Sequence, residues 1–390
     1  METKPGSLEQ LLAAHEIVIS CGSGGVGKTT MAAAAAAMAA VRQGGKVLVL
    51  TVDPARRLAN ALGLEGLGNA ATQVPADAFK EAGVTPRGQL WAAMLDTKQS
   101  WDDLVRRHAP DPLTMRRILD NPLYQNIAGR FVQSHEYIAI ERLYELHGQG
   151  VYDLIVVDTP PTRNALDFLE APQRMGEFFS SRLLRLLTVP YKSRLVNFAS
   201  KPFYTVADRI LGTQFLQDIA EFFILFQTMG PGFVERAGAV TRLLHDRRTT
   251  FVVVTTLEAA PAHEAELFIE VLAAKHFPLG AVVLNKVLPP YLRDVGGDAA
   301  QLAESLERRA SEVATELAPL VDPGAQPDQL HRVLREVAEN FIRFQLVAQR
   351  EAEQEAALGR MADVVASVPY FDDDIHDLAG LLRLGERMWR

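Results

Sequence analysis

Cysteine is almost missing from this chain: Cys21 is the only one in 390 residues. No intrachain disulfide, Cys-x-x-Cys zinc site or thiolate cluster can form, although one cysteine per subunit could still meet its mate in a dimer. Its place at the end of an apolar run predicts buried packing. No apolar run approaches the roughly 18 residues that a membrane-spanning helix needs, so no transmembrane segment is expected. Positive charge is not in excess either. The 40 lysines and arginines face 48 aspartates and glutamates, a net charge of −8, which argues against nucleic acid or anionic lipid as a whole-surface partner and leaves a local basic patch open. Met1 to Leu12 lacks the basic start and long apolar core of a signal peptide. A soluble cytoplasmic protein is the expectation. No repeat of fixed period is visible.

What is present is ordinary globular composition, 48% apolar and 23% charged, enough for a sizeable core. The length allows two or three domains, or one large α/β unit with insertions. The chain is organised around Gly22-Ser23-Gly24-Gly25-Val26-Gly27-Lys28-Thr29-Thr30. Ile17-Val18-Ile19 precedes it and a helix-favouring run from Met31 to Ala40 follows. Strand, glycine loop and helix form the context in which G-x-x-x-x-G-K-[ST] marks a phosphate cradle. Glycines bring backbone N–H groups close to phosphate oxygens, and the helix points its positive end at the same place. Lys28 then supplies a mobile charge for the β- and γ-phosphates, and the Thr29 hydroxyl a ligand for Mg²⁺. ATP and Mg²⁺ are the expected cofactors. Some loops of this kind carry a second lysine just after the first glycine; here that position is Ser23.

Lys46 to Val52 reads as a buried strand ending at Asp53-Pro54-Ala55-Arg56-Arg57, which puts Asp53 on the ligand edge of an open sheet. Asp53 suits either a catalytic role or a helix cap at Pro54. Gly63 to Gly88 reads as loops with short helix, and Leu95 to Leu146 as mainly helical. His108, His135 and His147 have no tight ligand spacing and read as surface or packed histidines. Tyr152 to Thr162 is a second such strand, with four aliphatics leading to Asp158, placed to hold the Mg²⁺ shell. Ala171 to His245 carries large apolar residues at helical spacing, among them Phe178, Phe179, Leu183, Leu184, Leu186, Leu187, Phe215, Leu216, Ile219, Phe222, Phe223, Leu225 and Phe226. They fit an insertion with its own small core or an apolar groove for a client helix. Strands recur at Phe251 to Thr256, leading to Glu258, and at Leu279 to Lys286, whose Asn285 can reach an adenine edge or serve as a turn residue. Long charged helices follow at 301–318 and 329–360, with Glu351, Glu353 and Glu355 as a solvated face. Val364 to Pro369 is the last strand, and Asp372-Asp373-Asp374 caps the closing helix or, less simply, holds a metal.

With phosphate loop, Asp-Pro-Ala, Asp-Thr-Pro-Pro-Thr and Asn-Lys in this order, the chain resembles the ArsA family, which includes the arsenite-pump ATPase and the ATPase that targets tail-anchored membrane proteins. The resemblance runs through 17–61, 152–169, 251–286 and 368–378. It implies an α/β P-loop NTPase with a mostly parallel central sheet flanked by helices, plus an α-helical insertion subdomain. On that reading the core is 1–95, 146–170 and 246–390, and the helical subdomain 96–145 and 171–245. The resemblance also implies site roles: Ser23, Gly24, Gly25, Val26, Gly27, Lys28, Thr29 and Thr30 as the phosphate loop, and Asp53 as the residue that orients the attacking water. Thr29 and Asp158 would hold the metal, with Asp158-Thr159-Pro160-Pro161-Thr162 as switch II. Glu258, Asn285 and the stretch from Pro369 would surround the nucleoside, with Glu258 reaching across a dimer interface.

Departures matter too. The pump's metalloid-binding cysteines, the zinc-clasping Cys-x-x-Cys and a methionine-rich client segment have no counterparts here. Ser23 stands where members of this class carry a lysine that reaches across the dimer. Arg56 or Arg57 could substitute, hydrolysis could be slow, or a lysine-bearing paralogue could complete a heterodimer. The expected function is therefore an ATPase that dimerises around ATP and opens and closes a helical, client-binding subdomain. The alternative is a nucleotide-dependent interaction protein with weak hydrolysis, one subunit of a heteromeric complex. A small-molecule kinase is a weaker third reading, since no acceptor-substrate motif is visible.

Overall fold

The computed structural model describes residues 6–52, 57–127, 134–160, 165–180, 221–293, 297–321, 326–371 and 373–389. Its centre is one eight-stranded sheet built from β1 (Ile17–Cys21), β2 (Lys46–Thr51), β3 (Thr72–Gln73), β4 (Gln89–Met94), β5 (Leu154–Asp158), β6 (Thr249–Thr255), β7 (Leu279–Val287) and β8 (Val364–Pro369). The spatial order is β3-β4-β2-β5-β1-β6-β7-β8. All pairings are parallel except β3 with β4. Strands β1, β5 and β6 are buried throughout, as expected of parallel strands covered on both faces, and this is why they read as unbroken apolar runs.

The chain leaves β1 in one direction, through β2 and β4, returns at β5, and then passes β1 in the other direction to β6, β7 and β8. The reversal opens a crevice at the carboxyl ends of β1 and its neighbours, where ligands of open α/β sheets bind. One face of the sheet, with Val18, Val49, Val156 and Val254, is covered by the helices Lys28–Arg42 and Leu378–Met388. The unbroken alanines from Ala32 to Ala37 are all buried there, small enough to bring the first helix close to the strands. The opposite face, with Ile19, Leu50, Ile155 and Val253, continues without a break into the helices 97–108, 134–148, 165–180 and 230–244.

Aromatic packing ties those helices together. Trp101 lies 6.0 Å from Phe226, 6.2 Å from Phe233 and 6.3 Å from Tyr137, ring centre to ring centre, within the range where offset and tilted rings attract. Phe222, Leu225 and Phe226 point inward and form core, while Phe223 and Ile224 beside them are half-buried. Leu183, Leu184, Leu186, Leu187, Phe215, Leu216 and Ile219, and the side chains of Phe178 and Phe179, lie outside the described residues.

Two sequence expectations need correction, and two elements appear where none was assigned. Strand β4 and a first helix, Leu8–Ala14 before β1, fall in stretches to which the sequence reading assigned no element. The acidic run does not cap the closing helix: Asp377 does, accepting from the Gly380 N–H at 2.7 Å, while Asp373 and Asp374 are exposed and Asp372 lies outside the described residues. Glu351 and Glu355 are half-buried anchors and only Glu353 is solvated. Glu351 accepts from the Leu288 N–H at 2.9 Å, and Glu355 pairs with Arg293 and accepts from Ser367 Oγ at 2.9 Å. These contacts fasten a long helical hairpin, Asp298–Val321 with Pro327–Gly359, to the ends of β7 and β8.

Candidate nucleotide site

The loop after β1 is shaped by two positions that exclude a side chain. Gly22 has φ of +151°, and a Cβ there would sit 2.0 Å from the Val254 carbonyl oxygen of β6. Gly27 has φ of +94° and caps the helix Lys28–Arg42 from the left-handed region; its Cβ would meet Asn285 Nδ2 at 2.5 Å. The backbone from Ser23 through Gly24, Gly25 and Val26 is thereby held close over the sheet edge at the start of that helix, the place where loop N–H groups and a helix N-terminus bind anions.

Lys28 is buried at 6% exposure, and its ammonium donates to the Ser23 carbonyl at 2.8 Å. Next to it, Thr29 Oγ1 donates to Asp158 Oδ2 at 2.7 Å, and Thr51 Oγ1, from the end of β2, donates to the same oxygen at 2.8 Å. Asp158 is fully buried. A carboxylate held there by two hydroxyls and close to a cation is a set of hard oxygen donors of the kind Mg²⁺ takes alongside phosphate and water. The residues fit that ion. Among the described residues no cluster of three His, Cys, Asp or Glu side chains offers a competing metal site. Thr159 Oγ1 donates to the Ser20 carbonyl at 2.8 Å, which pins the chain as it leaves β5. Cys21 is buried beneath the loop, and burial pushes its thiol up to about 12.

Asn285 reaches the loop from the other side. Its Nδ2 donates to the Val26 carbonyl at 2.7 Å, while its Oδ1 accepts from the Lys286 N–H at 2.8 Å. The amide that the sequence places near adenine is here bonded to the phosphate loop. Lys286 has φ of +57° and the β7–β8 register shifts between Leu284 and Val287, an irregularity that turns Asn285 under the loop.

A cleft of about 590 Å³ opens beside these groups, in the range of small-molecule sites. Gly25, Gly27, Thr29, Thr30, Asn285 and Pro369 line it, joined by Tyr370, Phe371 and His376. Those last three belong to the stretch after Pro369 that the sequence set around the nucleoside, although none of them was named there singly. Thr51 was also passed over, because the strand pairing that sets it beside Asp158 is not readable from one strand. Glu258 does not line the cleft; it is exposed at the start of the helix Ala259–Ala274. Asp53, Pro54, Ala55 and Arg56, the Arg57 side chain, and Pro161 and Thr162 lie outside the described residues.

The site geometry agrees with what the chain matches. The sequence model of the family described as anion-transporting ATPase covers residues 15–304. An uncharacterized protein of Streptomyces coelicolor is 29% identical over 326 residues, covering 79% of this chain and 76% of its own length. The ATPase BagA of Mycobacterium tuberculosis is 27% identical over 290 residues, 73% of this chain and 68% of its own length. An ATPase ASNA1 homolog of Entamoeba dispar is 24% identical over 297 residues, 73% and 81% of the two chains. With about three quarters of its length inside the family match, and the phosphate loop, Asp158 and Asn285 in that stretch, this chain belongs to the ArsA family of anion-transporting ATPases.

Proposed function

We propose that this ATPase binds Mg²⁺–ATP in the cleft beside the phosphate loop and uses its hydrolysis to switch between an open and a closed arrangement of a dimer carrying the helical subdomain. The observation that carries this reading is the convergence of buried Lys28, half-buried Thr29 and buried Asp158 at the sheet's ligand edge. Residues 23–30 would cradle the phosphates through backbone N–H groups. Lys28 would leave the Ser23 carbonyl for the β- and γ-phosphates. Thr29 Oγ1 and Asp158 would hold Mg²⁺, which when bound neutralises charge on the transferring phosphoryl group. Asp53 would orient the attacking water; positioning and charge neutralisation are most of what phosphoanhydride hydrolysis needs. Asn285 and Pro369 would border the nucleoside, and Glu258, exposed and away from the cleft, would serve it only from a partner subunit. Asp53→Asn should abolish turnover and spare ATP binding. Unimpaired turnover would remove Asp53 from this role.

Ser23 favours a second reading, a nucleotide-dependent interaction protein with weak intrinsic hydrolysis that pairs with a lysine-bearing paralogue. The Ser23 hydroxyl is buried and has no hydrogen-bond partner among the described residues, and a serine brings no charge to a neighbouring phosphate. Ser23→Lys should then raise turnover of the isolated chain; an unchanged rate argues against it. The hydrophobic client of the subdomain belongs to the same proposal, with crosslinking of an apolar helix to 171–245 as its test.

A further inference from the structure

Thr51 closes β2 after four buried aliphatic residues, Val47 to Leu50, and is itself only 1% exposed. A hydroxyl taken that far from water needs an acceptor. The buried hydroxyls of Thr159, Thr249 and Thr255 find theirs in the backbone, donating to the carbonyls of Ser20, Leu243 and Thr256. Thr51 instead donates across the sheet to a side chain, Oδ2 of the Asp158 carboxylate. Strand pairing arranges this contact. β2 and β5 run parallel with Thr51 opposite Asp158, and the Val52 N–H continues the ladder to the Asp158 carbonyl at 3.1 Å. The period of two along each strand puts Thr51 and Asp158 on the face of Val49 and Val156, the face covered by the helix that brings Thr29.

Thr29 and Thr51 thus donate to one carboxylate oxygen, and the two hydroxyls are not equivalent. Thr29 opens the helix behind the phosphate loop, and its oxygen is also a ligand for the metal. Thr51 belongs to the sheet, and branching at Cβ restricts its χ1. The terminal torsion of an aspartate is soft, without sharp staggered wells, so the plane of a metal-holding carboxylate is fixed by the groups that bond to it. Thr51 is such a group on the rigid side of the site. It also stands two residues before Asp53, so the same bond fastens the strand end leading to Asp53 against the strand end carrying Asp158. We propose that Thr51 is a positioning residue for hydrolysis: acting through Asp158, its hydroxyl holds the metal-binding carboxylate in place and ties it to the segment that bears Asp53. The proposal rests on the Mg²⁺–ATP reading of this site. Its chemical demand is one O–H donor at position 51, which a serine meets and a valine of the same outline does not.

Mn²⁺ in place of Mg²⁺, followed by the electron paramagnetic resonance of the free ion, tests this on the full-length chain with ADP. Thr51→Val should weaken Mn²⁺ binding about tenfold or more, the usual scale when a group that orients a metal ligand is lost. The Mg²⁺ concentration for half-maximal turnover should rise in step. Thr51→Ser should keep Mn²⁺ affinity within about twofold of the wild type, since the donor is retained. ADP affinity in EDTA should be the same in all three, because the phosphate loop is untouched. Thr249→Val removes a buried hydroxyl at the opposite end of the sheet and should leave Mn²⁺ affinity unchanged. Should Thr51→Val fail to fold by circular dichroism, Thr51→Cys, a weaker donor, should weaken Mn²⁺ binding about threefold or more. Wild-type Mn²⁺ affinity in the folded Val or Cys variant overturns the proposal and leaves the ATPase reading standing, as does an equal loss in Thr51→Ser and Thr51→Val. A wild type that binds neither ADP nor ATP defeats that reading, and this proposal with it.

Discussion

Lys28 carries the greatest demand of any single residue at the site, because its ammonium is buried and already engaged by the Ser23 carbonyl. Phosphate oxygens must outbid that contact, and an anionic acceptor adds a charge–charge attraction that a neutral carbonyl lacks. Lys28→Ala should therefore lower ATP affinity at least tenfold in a fluorescence titration while leaving the melting temperature nearly unchanged. Asn285→Ala should act differently. It frees the Val26 carbonyl and loosens the loop, so it should weaken ADP and ATP binding to a similar degree, measurable by calorimetry with each nucleotide. Cys21 gives a prediction with a definite sign. Its thiol is raised from 9.0 to about 12 by burial, so the folded state keeps a proton that the unfolded state releases first. That contribution to stability is constant below pH 9 and falls as pH rises from 9 toward 12. At neutral pH the native protein should resist iodoacetamide and react only once unfolded, as mass spectrometry would show.

Among the elements, the helix Gly230–Leu244 is tied to the helix Ser134–Gly148 by one ion pair in a nearly dry setting. Arg236 Nε donates to Glu141 Oε1 at 2.6 Å, and Glu141 is only 4% exposed. Removing one partner leaves the other charge buried, a loss of about 3 kcal/mol or more by comparison with similar pairs. Arg236→Met should lower the urea midpoint accordingly, and Glu141→Gln combined with it should recover part of the loss. Neither partner was legible from the sequence, since they stand 95 residues apart and neither sits in a motif. Strand β4 was hidden for a different reason. Gln89-Leu-Trp-Ala-Ala-Met94 contains no β-branched residue, and what makes it a strand is its parallel pairing with β2, a tertiary effect that overrides weak local preference. By contrast β1, β2, β5, β6 and β7 announced themselves as aliphatic runs, because strands buried on both faces have no polar side to show.

At the scale of the whole molecule, the sheet's ligand edge was readable and its partners were not. The phosphate loop declares itself through local glycine chemistry, and the acid after Val157 through its place at the end of an apolar strand. Thr51 beside Asp158 and Asn285 beneath Val26 depend on which strands lie side by side, and one sequence does not state that order. The fold thus brings four separated segments to one crevice, and the account stands on a nucleotide entering it. The most direct measurement is a crystal structure of the chain with ADP, aluminium fluoride and Mg²⁺. The account predicts the fluoride centre within reach of Lys28 Nζ, the metal at Thr29 Oγ1 and Asp158, and the base between Asn285 and the Pro369–Phe371 stretch. Lys28 still bonded to the Ser23 carbonyl, with nucleotide bound elsewhere or not at all, would contradict it.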